Sequence, residues 1–588
     1  MLYGCLALFA ILIILYRLLN LQRSWLRLLI TLNLEGSQQK YWTRDGYFRA
    51  RIKKFLTAAP LFGKRHNKEL RGWKSLNYGT IPSRLHTVFL SFYIASNLIY
   101  CCLLDYKHQS KAALVAEARG RTGHLAVINM LPLFIFAARN NPLISLLGIP
   151  FDSFNLFHRW IGRVVVIESF AHTFLWGQNN YDALGLEGLT YRLKHDPFLI
   201  YGFISAIALV IVFIQSLSFI RHSFYEIFLH FHQFLAICIT VGIILHCHSQ
   251  NLPQKPLAYS LLGIWSADRV SRLIRILSNL GTRLNIEALP GHACRLTFHI
   301  PRRWEQKGSQ YVYIYIPSVS LWMSHPFSIA SVSSKARPGS LEVETEVSLI
   351  VAARSGMTRN LFNRARNSPN SNLSVRAFIE GPYESPGSGN LKSYGTVVLF
   401  AGGVGVTGHL PHLKEILLAS QAGRAATSKV VLVWAVRSVE MIDWARPFLD
   451  EIKELSQNTK EGQKFCTVEV LIFISRHRLL RPPPTPNSET DVECATIESK
   501  VIADSHSEIT ELKIGQHHLQ TPVKEYEEKV DYRRINVNEV VQEQFQERIG
   551  AMSIGVCGPG GFGDDVRNAS RKLMTLGMLD FWEEAFTW

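Results

Sequence analysis

Four histidines fall at one repeated interval: His158 and His172 are fourteen residues apart, and so are His232 and His246. On a helix, fourteen steps make about 1400°, some 40° short of four turns, so each pair shares a face with its members about 21 Å apart. Imidazole is a common axial ligand of haem iron, and two helices with matched pairs would hold two stacked haems within a hydrocarbon core about 30 Å thick. His230 and His248 fit less well. Pairing either with His246 or His232 gives sixteen residues and nearly opposite faces, while His230 with His248 is in phase but rises about 27 Å and does not match the other helix level for level. A satisfied core histidine is the ordinary reading of any one of them. Two equally spaced pairs in apolar sequence, where ionisable groups are costly, favour iron ligation.

The elements that must position these histidines are apolar runs. Of the 588 residues, 47% are hydrophobic, which is high for a soluble chain and implies a membrane half and a soluble half. The net charge of +17 follows the apolar segments, not a separate basic domain, so it indicates a membrane protein and not a nucleic-acid binder. Nine cysteines without a Cys-x-x-Cys pair argue against a disulfide framework or a zinc site. Residues 1–20 read as an uncleaved first transmembrane helix with its N-terminus outside. A basic cytoplasmic segment, 21–83, follows: Arg17 to Arg84 holds fifteen Lys or Arg against Glu35, Asp45 and Glu69. Residues 84–275 are expected to form six further helices, over Leu85–Leu104, His124–Ala138, Phe157–Trp176, Phe198–Ile220, Ile227–Cys247 and Leu257–Trp265. Seven crossings return the chain to the cytosol at Arg269, Arg272 and Arg275. Both histidine helices then run outward, with His158 and His232 at the inner level and His172 and His246 at the outer.

Beyond residue 281 the pattern turns to alternating strands separated by Pro and Gly, a β domain over 281–390. From 395 to 588 it reads strand, glycine turn, helix, strand, an α/β domain with an insertion over 480–547 that is expected to be mostly disordered. The strand Thr396–Phe400 delivers Gly402, Gly403, Gly405 and Gly408 to a helix start, where backbone amides can approach a pyrophosphate. A second strand opens into Cys557, Gly558, Pro559, Gly560 and Gly561, a turn that would admit a nicotinamide. Arg437, at the end of the strand containing Trp434, is placed to neutralise a 2′-phosphate and so favour NADPH; a solvated surface arginine is the alternative.

His325, Pro326, Phe327 and Ser328 form a segment that resembles the flavin-binding motif of the ferric reductase and NADPH oxidase superfamily. Arg139-Asn140-Asn141-Pro142, the run from His158 to Arg163, Phe224-Tyr225-Glu226 and the stretch Glu584 to Trp588 resemble the fungal ferric-chelate reductases. The resemblance covers nearly all of Arg121 to Trp588 outside the insertion. It implies an α-helical transmembrane haem bundle followed by a ferredoxin-reductase-like β-barrel FAD domain and an α/β nucleotide-binding domain. It makes the four histidines ligands of two b-type haems, sets His325 to Ser328 against the flavin ring, and puts Gly356 and Thr358 near the FAD phosphates. Gly402 to Gly408 and Cys557 to Gly561 would contact NADPH, and Trp588 would stack on the flavin. Glu384, where the family has Gly, and Ser309, where Gly is common, depart from the pattern.

The resemblance therefore implies a metalloreductase moving electrons from cytosolic NADPH through FAD and two haems to extracytoplasmic Fe(III) chelates or Cu(II), beside an iron uptake system. The plasma membrane is favoured over the vacuolar membrane. One rival is a superoxide-producing NADPH oxidase, against which stand the lack of an Asp-x-Asp-x-Asp-Gly calcium loop and the terminal Trp. A second is an idle membrane scaffold, against which stand the retained histidines and glycine turns.

Overall fold

The structure is a computed structural model, and it describes all residues except 1, 33, 35–38, 40–41, 64–68, 72–76, 81, 321–322, 337–342, 387–388, 459–465, 477–524 and 585–588. The chain begins with α1 (Leu2–Thr31), the short α2 (Tyr47–Ile52) and a two-stranded hairpin, β1 (Glu69–Arg71) and β2 (Asn77–Thr80). The bundle follows as α3 (Arg84–Cys102), α4 (Lys111–Ala137), α5 (Pro142–Leu147), α6 (Phe151–His195), α7 (Pro197–Gln215), α8 (Ser218–Ser223), α9 (Tyr225–Ser249) and α10 (Lys255–Leu277).

Sequence chemistry sets several of these boundaries. The Ser83 and Ser110 hydroxyls cap α3 and α4, and Asp196 caps α7 with Pro197 in its first turn. The short α5 is capped by Asn141 and stopped by Gly148 at φ 65°, a conformation that costs glycine little. Helices α3, α7 and α9 are long and apolar enough to cross a membrane. The helices α4, α6 and α10 run past the apolar stretches read from the sequence, because polar and charged residues continue them; α6 reaches His195 across a break at Gly185. Met130, Ile161, Val165, Leu209, Leu235 and Leu261 form the bundle core.

The β domain comprises β3 (Arg283–Leu289), β4 (Ala293–Ile300), β5 (Gln310–Tyr315), β6 (Ser324–Ala336), β7 (Val343–Ala352), α11 (Met357–Arg366), β8 (Asn372–Arg376) and β9 (Phe378–Glu384). Its antiparallel sheet has the order β8-β3-β4-β7-β6-β5-β9. The two edge strands are consecutive in the chain, joined through Ala377, so the sheet curls around the core of Phe298, Ile314, Leu349 and Leu361.

The α/β domain comprises β10 (Thr396–Gly402), α12 (Val406–Gln421), β11 (Lys429–Val436), α13 (Arg446–Gln457), β12 (Thr467–Ile474), β13 (Tyr526–Asp531), α14 (Val537–Gln546), β14 (Met552–Cys557), α15 (Gly560–Leu573) and β15 (Leu579–Glu584). All neighbours in its sheet, β13-β12-β11-β10-β14-β15, are parallel. Every residue of β10 is buried, as a strand covered on both faces by helices requires.

One expectation needs correction. The segment 480–547 is not disordered throughout: β13 forms the sheet edge beside β12, and α14 buries Val537, Val540, Val541 and Phe545 against the core. Its Pro-, Glu- and Thr-rich composition masked this amphipathic helix; residues 477–524 lie outside the described residues. The basic segment 21–83 packs on the α/β domain. Arg27 donates to the Ser393 carbonyl at 2.9 Å and lies 3.7 Å over the Tyr394 ring, while Gln39 donates to the Ala426 carbonyl at 2.9 Å. Lys53 bridges Asp45 and Asp580, and Tyr394 donates to Asp580 at 2.6 Å. Its charges thus pair with the nucleotide domain, which charge counting along one chain cannot show.

Candidate functional site

The structure brings the four histidines onto α6 and α9 and fixes their rings through Nδ1. His158 Nδ1 lies 2.9 Å from the Leu133 carbonyl, His172 Nδ1 2.9 Å from the Arg119 carbonyl, and His246 Nδ1 2.8 Å from the Phe198 carbonyl. A carbonyl only accepts, so in each ring Nδ1 carries the hydrogen and Nε2 keeps a free lone pair. That is the tautomer a metal-ligating histidine needs. His232 differs: its Nδ1 faces the side-chain amide of Gln215 at 3.3 Å. With the Gln215 oxygen, otherwise buried without a partner, turned to the ring, the same pattern holds.

The rings of His158 and His232 face one another with centroids 6.2 Å apart. That separation leaves room for one metal ion that both imidazoles could hold, given metal–nitrogen bonds of about 2.0 Å. The inner pair therefore fits one iron between them. The outer pair is seated by a mirrored device. A Cβ at Gly123 of α4 would lie 2.5 Å from His172 Nδ1, and one at Gly202 of α7 would lie 2.8 Å from His246 Nδ1. Each glycine stands four residues after the carbonyl that its histidine uses, so ring, carbonyl and glycine form one unit on both sides. His230 and His248 are exposed, and His248 Nδ1 lies 3.1 Å from the Tyr259 hydroxyl.

At the inner end the bundle is fastened to the β domain through Glu380 of β9, 3% exposed. Arg139 Nη1 donates to both Glu380 oxygens at 3.1 and 3.0 Å, Arg272 donates at 3.0 and 3.2 Å, and the Tyr383 hydroxyl at 2.6 Å. Burial opposes its ionisation, but Arg139 and Arg272 hold the carboxyl below the usual range. Arg139 also stacks 3.4 Å over the Tyr313 ring, and Arg275 donates to the Pro382 carbonyl at 2.7 Å. Asn140 ties this joint to α10 through Asp268 at 3.0 Å.

The flavin motif lies on β6, paired with β5 so that His325 faces Ile314, Pro326 faces Tyr313, Phe327 faces Val312 and Ser328 faces Tyr311. Phe327 packs on the barrel core. His325 Nε2 is buried without a hydrogen-bond partner, a group that a ring with polar edges would satisfy. Burial lowers the His325 imidazole below its ordinary range, against an upward pull from Glu226. Glu226 opens α9, six residues before His232, so β6 sits at the inner end of the histidine helices. Gly356, at φ 57°, caps α11, and the Thr358 hydroxyl accepts from the Arg354 amide at 3.1 Å; this ordered helix start can receive phosphate. Glu384, a departure from the family pattern, lines a cavity with Lys307, Lys392 and Glu415, and Lys392 pairs with Glu415 at 2.7 Å.

The two glycine turns meet. Gly403 has φ +54°, but Gly402, Gly405 and Gly408 are required by closeness: added Cβ atoms would approach Pro559 Cδ at 2.6 Å, the Cys557 carbonyl oxygen, and Glu584 Oε2 at 2.6 Å. Gly558 in turn lies against the Gly402 backbone, and Gly560 opens α15. The turns thus form one floor at the carboxyl ends of β10 and β14, where a dinucleotide binds in parallel α/β sheets. Arg437 is exposed beyond the end of β11. Trp588 lies outside the described residues.

Sequence reasoning missed two members of this region. The Glu584 side chain is fully buried with neither carboxylate oxygen hydrogen-bonded, 3.7 Å from His412 Nε2. The Cys557 thiol is pushed well up by burial, with Glu584 and Glu583 adding to it, so it stays protonated. In the sequence Glu584 stands out only as part of the C-terminal resemblance, and His412, as one histidine in a helix, gives no signal of its own. His409, lowered to about 3 by burial with a further push from His412, donates to Phe400 and is a neutral core residue.

Three family profiles match the chain in order: a ferric reductase like transmembrane component over residues 122–243, an FAD-binding domain over 279–387, and a ferric reductase NAD binding domain over 394–571. Among curated relatives, the ferric/cupric reductase transmembrane component 1 of Candida albicans is 24% identical over 526 residues, covering 87% of this chain and 63% of that protein. The ferric/cupric reductase transmembrane component 2 of Saccharomyces cerevisiae is 27% identical over 565 residues, covering 91% and 71%. The chain thus spans about two thirds of the length of these relatives. Among solved structures, the ferredoxin reductase in carbazole 1,9a-dioxygenase overlaps 52% of this chain and 68% of its own, at 13% identity and a TM-score of 0.27.

Proposed function

We propose that this chain, a member of the ferric reductase family, carries electrons from cytosolic NADPH across a membrane to an Fe(III) chelate, with Cu(II) as a second acceptor. The observation that carries the reading is the inner histidine pair: two rings 6.2 Å apart, at the end of the bundle fastened to the β domain through Glu380 of β9. When bound, FAD supplies the conversion of a hydride's electron pair into single electrons, and two b-type haems supply one-electron relay.

The chain's own part is positional. His158 and His232 would hold one iron, and His172 and His246 the other, each imidazole oriented by its Nδ1 partner. Ligation from both sides leaves no open iron position, which suits relay over oxygen binding. His325, Pro326, Phe327 and Ser328 would line the flavin ring, with Gly356 and Thr358 near its phosphates. Gly402, Gly403, Gly405, Gly408, Cys557, Gly558, Pro559 and Gly560 would receive NADPH, with Arg437 favouring the 2′-phosphate. The Glu380 cluster would fix the distance between the flavin and the inner haem level. With the β and α/β domains in the cytosol, the outer pair delivers electrons to the extracytoplasmic face, at the plasma membrane and in the service of iron uptake.

The test is a purified preparation given NADPH anaerobically. A low-spin haem spectrum that NADPH reduces, and that an added ferric chelate reoxidises, is expected. Absence of haem, or haem that NADPH leaves oxidised, sinks the proposal; superoxide release with an inert chelate would instead make oxygen the acceptor.

A further inference from the structure

A carboxyl group in the middle of the bundle has no place in the scheme above. Glu168 is 5% exposed on α6, ten residues after His158 and four before His172. It meets Asn129 of α4, fully buried and four residues before the Leu133 carbonyl that orients His158. Asn129 Nδ2 lies 3.0 and 2.9 Å from the two Glu168 oxygens and 2.8 Å from Oδ1 of Asn97 on α3. An amide nitrogen has two hydrogens, and here it faces three oxygens. Asn129 Oδ1 is meanwhile buried without a partner. Turning the amide over would set a carbonyl oxygen against a carboxylate. One amide hydrogen goes to Asn97 and the other is shared by the two carboxylate oxygens, so this buried carboxyl has a single neutral donor to offset its charge.

The surroundings offer no cation to do the same. Tyr93 and Cys101 face the carboxyl from α3. On α4, Arg121 is held by Glu117 at 2.6 Å and by the Tyr100 carbonyl at 2.7 Å, and His124 by Gln254, the residue before α10, at 3.2 Å. On α6 itself, His172 is committed to the Arg119 carbonyl. Among the described residues no ion pair reaches Glu168. A structural clamp joining three helices would need only a neutral amide here, and an ionisable group in a membrane interior is costly unless it is used.

We propose that Glu168, bridged by Asn129 to Asn97, is a proton-binding site coupled to reduction of the haem that His172 and His246 would hold. This rests on the two-haem reading. One electron arriving at that level adds one negative charge to a low-dielectric interior. One proton from the aqueous phase binding a Glu168 oxygen cancels it, and leaves again when the electron passes to the acceptor. No other bond is made or broken.

The test is spectroelectrochemical titration of the full-length holoprotein in lipid nanodiscs between pH 6 and 8. In the wild type, one of the two haem midpoints should fall with rising pH, approaching 59 mV for each tenfold drop in proton activity. In Glu168→Gln both should be flat at unchanged haem content, and Glu168→Asp should restore the slope. A slope shared by wild type and Glu168→Gln overturns the inference, as do pH-flat midpoints in a wild type that contains both haems. A wild type without haem overturns the function proposed above as well. Should Glu168→Gln fail to accumulate, redox-difference infrared spectra of the wild type decide: a protonated-carboxyl band must grow on reduction, and its absence is disproof.

Discussion

The inner and outer histidine levels are held by different means. At the outer level, His172 and His246 each lie over a glycine and reach a carbonyl four residues earlier on the neighbouring helix, and the Phe198 ring stacks on that of His246. At the inner level His158 uses a carbonyl, but His232 faces the Gln215 side chain, and no glycine Cβ would meet either ring. Backbone groups in packed helices do not adjust, whereas a side-chain amide can turn. The outer level is thus built rigidly and the inner level admits tuning, next to the joint where Glu380 gathers two arginines from the bundle.

Changing Gly123 or Gly202 to Ala should break this comparison most severely. Either Cβ would lie within 2.8 Å of a ring nitrogen. The expected outcome is loss of about half the haem absorbance per polypeptide, with NADPH still reducing what remains and chelate reduction falling about a hundredfold. Retention of both haems would show that the outer seats are soft. Next comes Glu380→Gln, which leaves Arg139 and Arg272 facing a neutral amide; removing one partner of a buried ionic cluster costs about 3 kcal/mol. Chelate reduction should drop about tenfold while NADPH-driven reduction of a soluble dye persists, since the loss lies between flavin and inner level.

Gln215→Leu should act more gently and at the inner level alone. One hydrogen bond is worth about 1 kcal/mol, or some 40 mV, so a midpoint shift of that order with full haem content is expected from a redox titration. An equal shift at both levels would erase the distinction. The smallest effect concerns residues 21–83. Burial opposes ionisation of Asp580, but Lys53, aided by the Tyr394 hydroxyl, holds its carboxyl down to about 2. A carboxyl depressed in the folded state stabilises above its ordinary pKa near 4, and that contribution is lost as pH falls through about 2. Limited proteolysis should therefore cut this segment faster at pH 3 than at pH 7, and Lys53→Met should cut at similar rates at both.

Much of the site was legible because it rests on periodicity. The fourteen-residue spacing put His158 with His172 and His232 with His246 on common faces, and phase together with rise set aside His230 and His248, which the structure leaves exposed. The glycine turns were visible as composition, but their reason was only partly so: Gly405 and Gly408 are glycines chiefly because Cys557 and Glu584 press on them from another strand. Gly123, Gly202 and Gln215 carried no signal, being ordinary residues whose role depends on which helix lies opposite. Glu168 could have been found, as a lone acid within an apolar run. The helix α14 was hidden because acidic and amide residues surround its four buried apolar positions.

By itself the sequence determined the helix that bears each histidine, the level at which it sits and the strands that end in glycine, since these follow from repeat lengths along one chain. Only the tertiary structure decided which nitrogen of each imidazole is free, which arginines meet Glu380 and which amide meets Glu168. Those depend on carbonyls and amides brought together from elements as much as 241 residues apart, and hydrogen-bond geometry of that reach leaves no pattern in local composition.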